Sequence, residues 1–146
     1  MKGLVCKVCG YVALDGKTDV CPVCHAKNAF EEKEDAYKMP DFVVEKGESE
    51  KKHIPSIKIM SQCGAAHDGE CSVVHVNIGE IQHPSMPEHH ITTITFYIEN
   101  KYAGVFNLTS DIVPSAVLHL KSGTKGKVQV IENCNIHGKW YNEIVL

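Results

Sequence analysis

The sequence predicts a mainly β protein: an immunoglobulin-like antiparallel β-sandwich preceded by a small metal-knuckle domain. Three observations carry this. Beyond residue 53, short runs alternate apolar and polar residues with a period of two. Turn material such as Glu99-Asn100-Lys101 and Ser122-Gly123-Thr124-Lys125-Gly126 separates those runs. Four of the seven cysteines fall within the first thirty residues, in a segment without that alternation.

Taken in chain order, residues 1–30 form the Cys-rich domain. Residues 31–48 are dense in charge of both signs and contain Pro40 and Gly47, and so read as a linker or connecting arm. Within them Phe42-Val43-Val44 could pack as a short strand. Residues 49–146 are the sandwich. Its strands are marked by Ile57 and Ile59; by Val74, Val76 and Ile78; by Ile94, Phe96 and Ile98; by Ala116, Leu118 and Leu120; and by Val128 and Val130. Residues 102–108 and 140–146 are two further β-rich stretches. No segment holds a helical period over three turns.

Composition excludes several classes. Hydrophobic residues make up 43% and charged residues 23% of the 146, an ordinary globular balance rather than that of a disordered chain. No apolar run approaches the roughly 20 residues of a membrane span. The first cysteine arrives at position 6, too early for a signal peptide. A formal net charge of −3 gives no electrostatic footprint for nucleic acid. Seven Cys and nine His are the unusual entries; the odd cysteine count argues for metal or thiol chemistry in a reducing cytoplasm.

Cys6-Lys7-Val8-Cys9 and Cys21-Pro22-Val23-Cys24 are two C-x2-C knuckles eleven residues apart. Each knuckle lets two thiolates meet one ion while backbone amides point at the sulfurs. Two knuckles close a tetrahedral all-sulfur site suited to zinc or a single iron. Spacing alone leaves the metal open. The local sequence, Cys6-Lys7-Val8-Cys9-Gly10-Tyr11 and Val20-Cys21-Pro22-Val23-Cys24 followed by Ala26, Lys27 and Phe30, resembles the knuckles of rubredoxin with a shortened loop between them, which leans to iron. His25 reads as a solvent-side residue beside the last thiolate rather than a further ligand.

Three more clusters carry chemistry: Lys51-Lys52-His53-Ile54-Pro55, His83-Pro84-Ser85-Met86-Pro87-Glu88-His89-His90-Ile91, and Cys134-Asn135-Ile136-His137-Gly138-Lys139-Trp140. Singly each is weak. Together they offer four imidazoles and a thiolate. This set, in this order over about 90 residues, resembles superoxide reductase, the desulfoferrodoxin and neelaredoxin family. The resemblance implies one iron bound by His53, His83, His89 and His137 in the equatorial plane and by Cys134 axially, with the sixth position open. It implies reduction of superoxide by one electron to hydrogen peroxide, with a small electron-donor protein such as rubredoxin restoring the ferrous state, and a homo-oligomeric state. Lys52 takes the place of the family lysine that attracts the anion and supports protonation through ordered water. The chain departs from the pattern at Lys51, where the family commonly has Glu; Glu50 is the nearest substitute in sequence.

Among the remaining candidates, His89 is preferred to its neighbour His90 because it lies six residues after His83. His75 and His119 read as surface residues. Cys63, His67 and Cys71 read as incidental, with a third metal site or a Cys63–Cys71 disulfide as lesser alternatives. Two rival functions remain: a one-electron carrier that works through an iron at the four-cysteine site and uses the sandwich for docking, and a zinc-ribbon protein-binding module.

Overall fold

The computed structural model describes residues 1–41, 47–60 and 71–146. The segment Phe42-Val43-Val44 and the residues Cys63 and His67 lie outside the described residues, as does the side chain of Cys71.

The chain opens with a two-stranded antiparallel ribbon of β1 (Gly3–Cys6) and β2 (Phe30–Lys33), with Gly3 opposite Lys33 and Cys6 opposite Phe30. Between them the two knuckles repeat one backbone design. The Gly10 N–H donates to the Cys6 carbonyl, and the His25 N–H donates to the Cys21 carbonyl, both at 2.9 Å. Each turn then enters the left-handed region, at Gly10 (φ 79°) and at His25 (φ 64°). His25 therefore stands where the first knuckle uses glycine, and its exposed side chain has no part in the site.

A six-residue helix, α1 (Glu48–His53), precedes the sandwich; the sequence had shown no helical period, and six residues are too few to display one. Glu48 and Glu50 in its first turn and Lys51, Lys52 and His53 in its last complement the helix dipole. Seven strands follow: β3 (Pro55–Met60), β4 (Cys71–Ile78), β5 (Ile91–Ile98), β6 (Lys101–Asn107), β7 (Ser115–Lys121), β8 (Lys127–Cys134) and β9 (Gly138–Val145). They make two antiparallel sheets, β3-β4-β7 and β6-β5-β8-β9. This is the antiparallel β architecture that the alternation predicts. The inward residues of both sheets form the sandwich core, with Val74, Val76 and Ile78 from β4 meeting Ile94, Phe96, Val128 and Val130.

The four-stranded sheet is covered on its outer face as well. Tyr97, Ile131 and Tyr141 pack there against Val5, Tyr11 and Val12 of the Cys-rich segment. Tyr11 stacks on Tyr97 with ring centroids 5.8 Å apart, and the Tyr97 hydroxyl donates to the Val12 carbonyl at 2.8 Å. That second core explains why β8 is buried at five consecutive positions, Val128 to Glu132, rather than at every other one. Two buried tyrosine rings bring several kcal/mol of apolar burial to the junction, at about 25 cal/mol per Å².

The segment read as a connecting arm is tied down where it is described. Lys38 forms a parallel bridge with Trp140 of β9; its N–H donates to the Lys139 carbonyl and its own carbonyl accepts from the Tyr141 N–H, both at 2.9 Å. Among the described residues no helix is long and apolar enough to cross a membrane.

Candidate metal centres

The four cysteine sulfurs of the knuckles lie within 4.8 Å of one another. Cys6 and Cys24 are 3.7 Å apart, and Cys9 and Cys21 3.5 Å. A tetrahedron of sulfurs about 2.3 Å from one ion has edges of about 3.8 Å, so the spacing fits a single metal. The electrostatics point the same way. Burial pushes the Cys6 thiol up, but the backbone N–H groups of Cys9 and Val8 outweigh it and hold the thiol at about 7. Cys9 is pushed up to about 12 by burial and by its thiol neighbours, and burial also raises Cys21. Four thiolates cannot coexist here without a cation to neutralise them.

The second cluster is assembled from three places in the fold. His53 ends α1, and its Nδ1 donates to the Ser49 carbonyl one helical turn back at 2.6 Å. His83 lies in the loop after β4 and donates from Nδ1 to the Pro84 carbonyl at 2.8 Å. Both bonds fix the tautomer and turn Nε2 inward, where the two Nε2 atoms are 3.2 Å apart. His89 lies just before β5, and its Nε2 is buried with no partner among the described residues. His137 sits in the β8–β9 turn with its Nδ1 3.7 Å from the Cys134 sulfur, which ends β8.

The four imidazoles form a closed square. Its edges are His53–His83 at 4.7 Å, His83–His89 at 4.5 Å, His89–His137 at 4.9 Å and His137–His53 at 4.9 Å between ring centroids. Neighbouring rings meet at 69–82°, while His53 and His89 face each other at 6.3 Å across the square. That diagonal accommodates one ion at the usual metal–nitrogen distance of about 2.1 Å from each ring. Ligand atoms of His53, His83, His89 and Cys134 lie within 4.8 Å of one another. Burial pushes His53, His83 and His89 below the usual histidine range, His83 to about 4, so these rings are neutral and ready to donate. The orphaned His89 nitrogen and a donor set of four imidazole nitrogens and one thiolate sulfur fit a borderline transition metal such as iron.

Local hydrogen bonds explain why the ligands meet. Asn135 reaches across from the β8–β9 turn: its Oδ1 accepts from the His90 N–H at 3.0 Å and its Nδ2 donates to the Glu88 carbonyl at 3.1 Å. This brackets His89 and presents it to Cys134. His90 turns away and its Nδ1 bonds the Met86 carbonyl at 3.1 Å. On the other side, Gly79 (φ 86°) lets the loop after β4 press against α1; a Cβ there would sit 2.7 Å from the Lys52 carbonyl and 2.8 Å from that of Lys51. The Ile81 N–H donates to the Lys51 carbonyl, which brings His83 to His53.

The structure thus gathers Cys6, Cys9, Cys21 and Cys24 in one cluster and His53, His83, His89 and Cys134 in another; the exposed His137 lies outside that 4.8 Å set and adjoins it through its ring's contacts with His53 and His89 and its approach to the Cys134 sulfur. Lys52 occupies the last turn of α1, where its ammonium pairs with Glu48 at 2.8 Å and its charge is felt at His89. Glu48, rather than Glu50, is the acidic residue tied to it. His119 is exposed and His75 half-buried, and neither belongs to a cluster. The half-burial of His75 departs from the surface position expected, because its Nε2 is held 3.2 Å from the Ser115 hydroxyl of β7.

Three further neighbours touch the site: Trp140 closes the third sequence motif, whereas Lys38 and Glu132 carried no signal of their own in the sequence. Trp140 stacks on His53. Lys38 places its ammonium 4.7 Å from the Trp140 ring centroid and donates to the His137 carbonyl at 3.2 Å. Glu132, opposite Trp140 on β8, is fully buried, and both its oxygens lack partners among the described residues. Burial raises the Glu132 carboxyl well above its usual range.

Comparison with known proteins gives a consistent result. The desulfoferrodoxin family model matches residues 45–143. The superoxide reductase of Pyrococcus horikoshii is 36% identical over 107 residues, and that of Thermococcus kodakarensis 35%; each match covers 65% of this chain and 87% of the relative. Among solved structures, the superoxide reductase of Nanoarchaeum equitans is 29% identical with a TM-score of 0.52 over 65% of this chain and 93% of that one. A single-substitution variant of the superoxide reductase (neelaredoxin) of Ignicoccus hospitalis is 25% identical with a TM-score of 0.58 over 75% of this chain and 92% of that one. The family match begins at residue 45, beyond the cysteine knuckles.

Proposed function

The chain belongs to the desulfoferrodoxin family, and from that premise we propose that it is a superoxide reductase, reducing superoxide by one electron to hydrogen peroxide at an iron held by His53, His83, His89, His137 and Cys134. The observation that carries this reading is the closed square of imidazoles beside the Cys134 sulfur. Iron held by these residues would supply a one-electron ferrous–ferric couple, with the Cys134 thiolate as its electron-rich donor.

The chain's own residues do the rest. One superoxide, one electron and two protons give one hydrogen peroxide, so the site must attract an anion and deliver protons. Lys52 attracts: its ammonium stands at the end of α1 beside His89, where a mobile cation raises the local concentration of a small anion. Through ordered water the same ammonium hands on a proton. The Nδ1 bonds of His53 and His83 to backbone carbonyls hold their rings in one orientation while the charge on the centre changes. Asn135 holds His89 in register with Cys134.

We read the ion of the four-cysteine site as iron, on the resemblance of the knuckles to those of rubredoxin. A small one-electron carrier such as rubredoxin restores the ferrous state; exposed Val8 and Val20 beside the knuckle sulfurs offer such a partner an apolar contact. Homo-oligomerisation rests on the family resemblance. The use of cysteine for metal binding rather than disulfides at both sites favours a reducing cytoplasm. Metal analysis with an optical spectrum tests the reading. Two irons per chain, one giving a thiolate band that appears on oxidation and vanishes in Cys134→Ser, support it. A single zinc and no iron would contradict it.

A further inference from the structure

Consecutive side chains of β9 leave the strand on opposite faces and end at different centres. Trp140 lies against His53 of the imidazole square. Lys139 points to the knuckle: its Nζ is 3.5 Å from the position a Cβ on Gly10 would take, and its Cε 3.9 Å. Gly10 directly follows Cys9, and Cys9, Gly10 and Lys139 line one small cavity between knuckle and sheet. The Lys139 side chain is half-buried, and no carboxylate among the described residues pairs with it.

A half-buried cation without a carboxylate needs negative charge nearby. The negative charge here belongs to the knuckle sulfurs. Four thiolates leave a net charge of −2 on a divalent ion and −1 on a trivalent one. We propose that Lys139 is the counter-charge of the four-cysteine centre: its ammonium, supplied by the sandwich, stabilises the doubly negative ferrous form over the singly negative ferric form and so raises the centre's reduction potential. The step is electron transfer alone. The ferric centre takes one electron from a one-electron donor protein, and no proton moves. Part of the knuckle's potential then comes from its docking on β9. The inference rests on the reading of that ion as iron.

Spectroelectrochemistry on the full chain tests it, with the midpoint of the knuckle absorption followed in the unmodified protein and in Lys139→Met, Lys139→Gln and Lys139→Arg. At a fixed potential, Lys139→Met and Lys139→Gln should shift the ferrous-to-ferric ratio of the knuckle about tenfold toward ferric, about 59 mV for one electron. Lys139→Arg should keep most of the potential. The shift should persist in high salt, because a half-buried charge is poorly screened. Bands of the imidazole-rich centre should not move. Equal midpoints in the unmodified, Met and Gln proteins would overturn the proposal while leaving the iron reading intact. Loss of knuckle iron from both the Met and Gln variants would overturn it in favour of a structural role. A knuckle that holds zinc and shows no redox wave would overturn the iron reading, and the proposal with it.

Discussion

The indole of Trp140 lies nearly parallel to the imidazole of His53, with ring centroids 5.2 Å apart and planes at 19°. The Lys38 ammonium lies over the same indole and bonds the carbonyl of His137. An aromatic plane thus holds one ligand in place, and a residue of the N-terminal arm clamps that plane and a second ligand together. Trp140→Leu should therefore lower metal affinity at the imidazole-rich centre by about 10–100-fold, as loss of a ligand-orienting neighbour does. Competition with a chelator measures this, and the knuckle should keep its metal. Lys38→Met should cost about 0.5–1 kcal/mol of stability through the lost cation–π contact. It should also slow the reaction with superoxide at low salt, with the difference closing as salt rises.

Gly79→Ala should empty the imidazole-rich centre. A Cβ at that position meets the carbonyls of Ile81, Lys51 and Lys52, and φ of 86° strains any L side chain. The expected cost is on the order of 1–3 kcal/mol, relieved by displacement of the loop after β4 against α1 and separation of His83 from His53. Metal content by site is the readout: full loading of both sites would show that the loop does not set the His53–His83 distance.

The metal-free protein should lose stability as pH falls from about 6.5 to about 4. Burial depresses His83 to about 4, so the folded chain binds fewer protons than the unfolded chain in that window. The contribution, about 3 kcal/mol for His83, is complete above the unfolded value and lost as pH falls through the folded one. His53 and His89 shift in the same direction. Glu132 has the opposite sign: its carboxyl is raised by burial, so its contribution is present below about 4.5 and declines as pH rises. Glu132→Gln should therefore stabilise the protein at neutral pH by about 1–3 kcal/mol and leave the acid-side loss in place. Urea unfolding across a pH series checks both signs.

Lys52→Ala should slow the second-order reaction with superoxide and weaken its dependence on ionic strength, with the metal retained. Glu48→Gln should have the reverse effect, because it frees the Lys52 ammonium from the ion pair at 2.8 Å. Lys51 adds a second positive charge in the same turn of α1, so Lys51→Ala combined with Lys52→Ala should be slower than either alone. Pulse radiolysis over a salt series separates these cases. If the double variant matched the unmodified protein at every salt concentration, the steering role of α1 would fall.

Much of this was legible in the sequence. All seven sandwich strands announce themselves by period-2 alternation or β-rich composition, because successive residues of a strand face opposite sides of its sheet. The nine sulfur and imidazole donors stand in motifs whose spacing matches what knuckles and turns can bring together. The knuckle's docking on the outer sheet face was not legible. Tyr11, Val12, Tyr97 and Tyr141 are ordinary β residues in sequence, and only their meeting in space shows that β8 is covered twice. Lys38 is hidden in a run of charges, and its role depends on a backbone bridge to Trp140 that no local pattern encodes. Lys139 likewise sits inside a ligand motif while its side chain serves the other site. Glu132 breaks the apolar run of β8 as a solvent-facing residue would, yet it is fully buried.

The most direct test of the central claim is the stoichiometry of superoxide consumption by the fully reduced protein in single-turnover pulse radiolysis. The account predicts one ferrous imidazole-rich centre oxidised for each superoxide consumed, one hydrogen peroxide formed, and no oxygen released, with the reaction lost in Cys134→Ser while the knuckle absorption remains. Release of one oxygen for every two superoxides consumed, or an unchanged rate in Cys134→Ser, would contradict it.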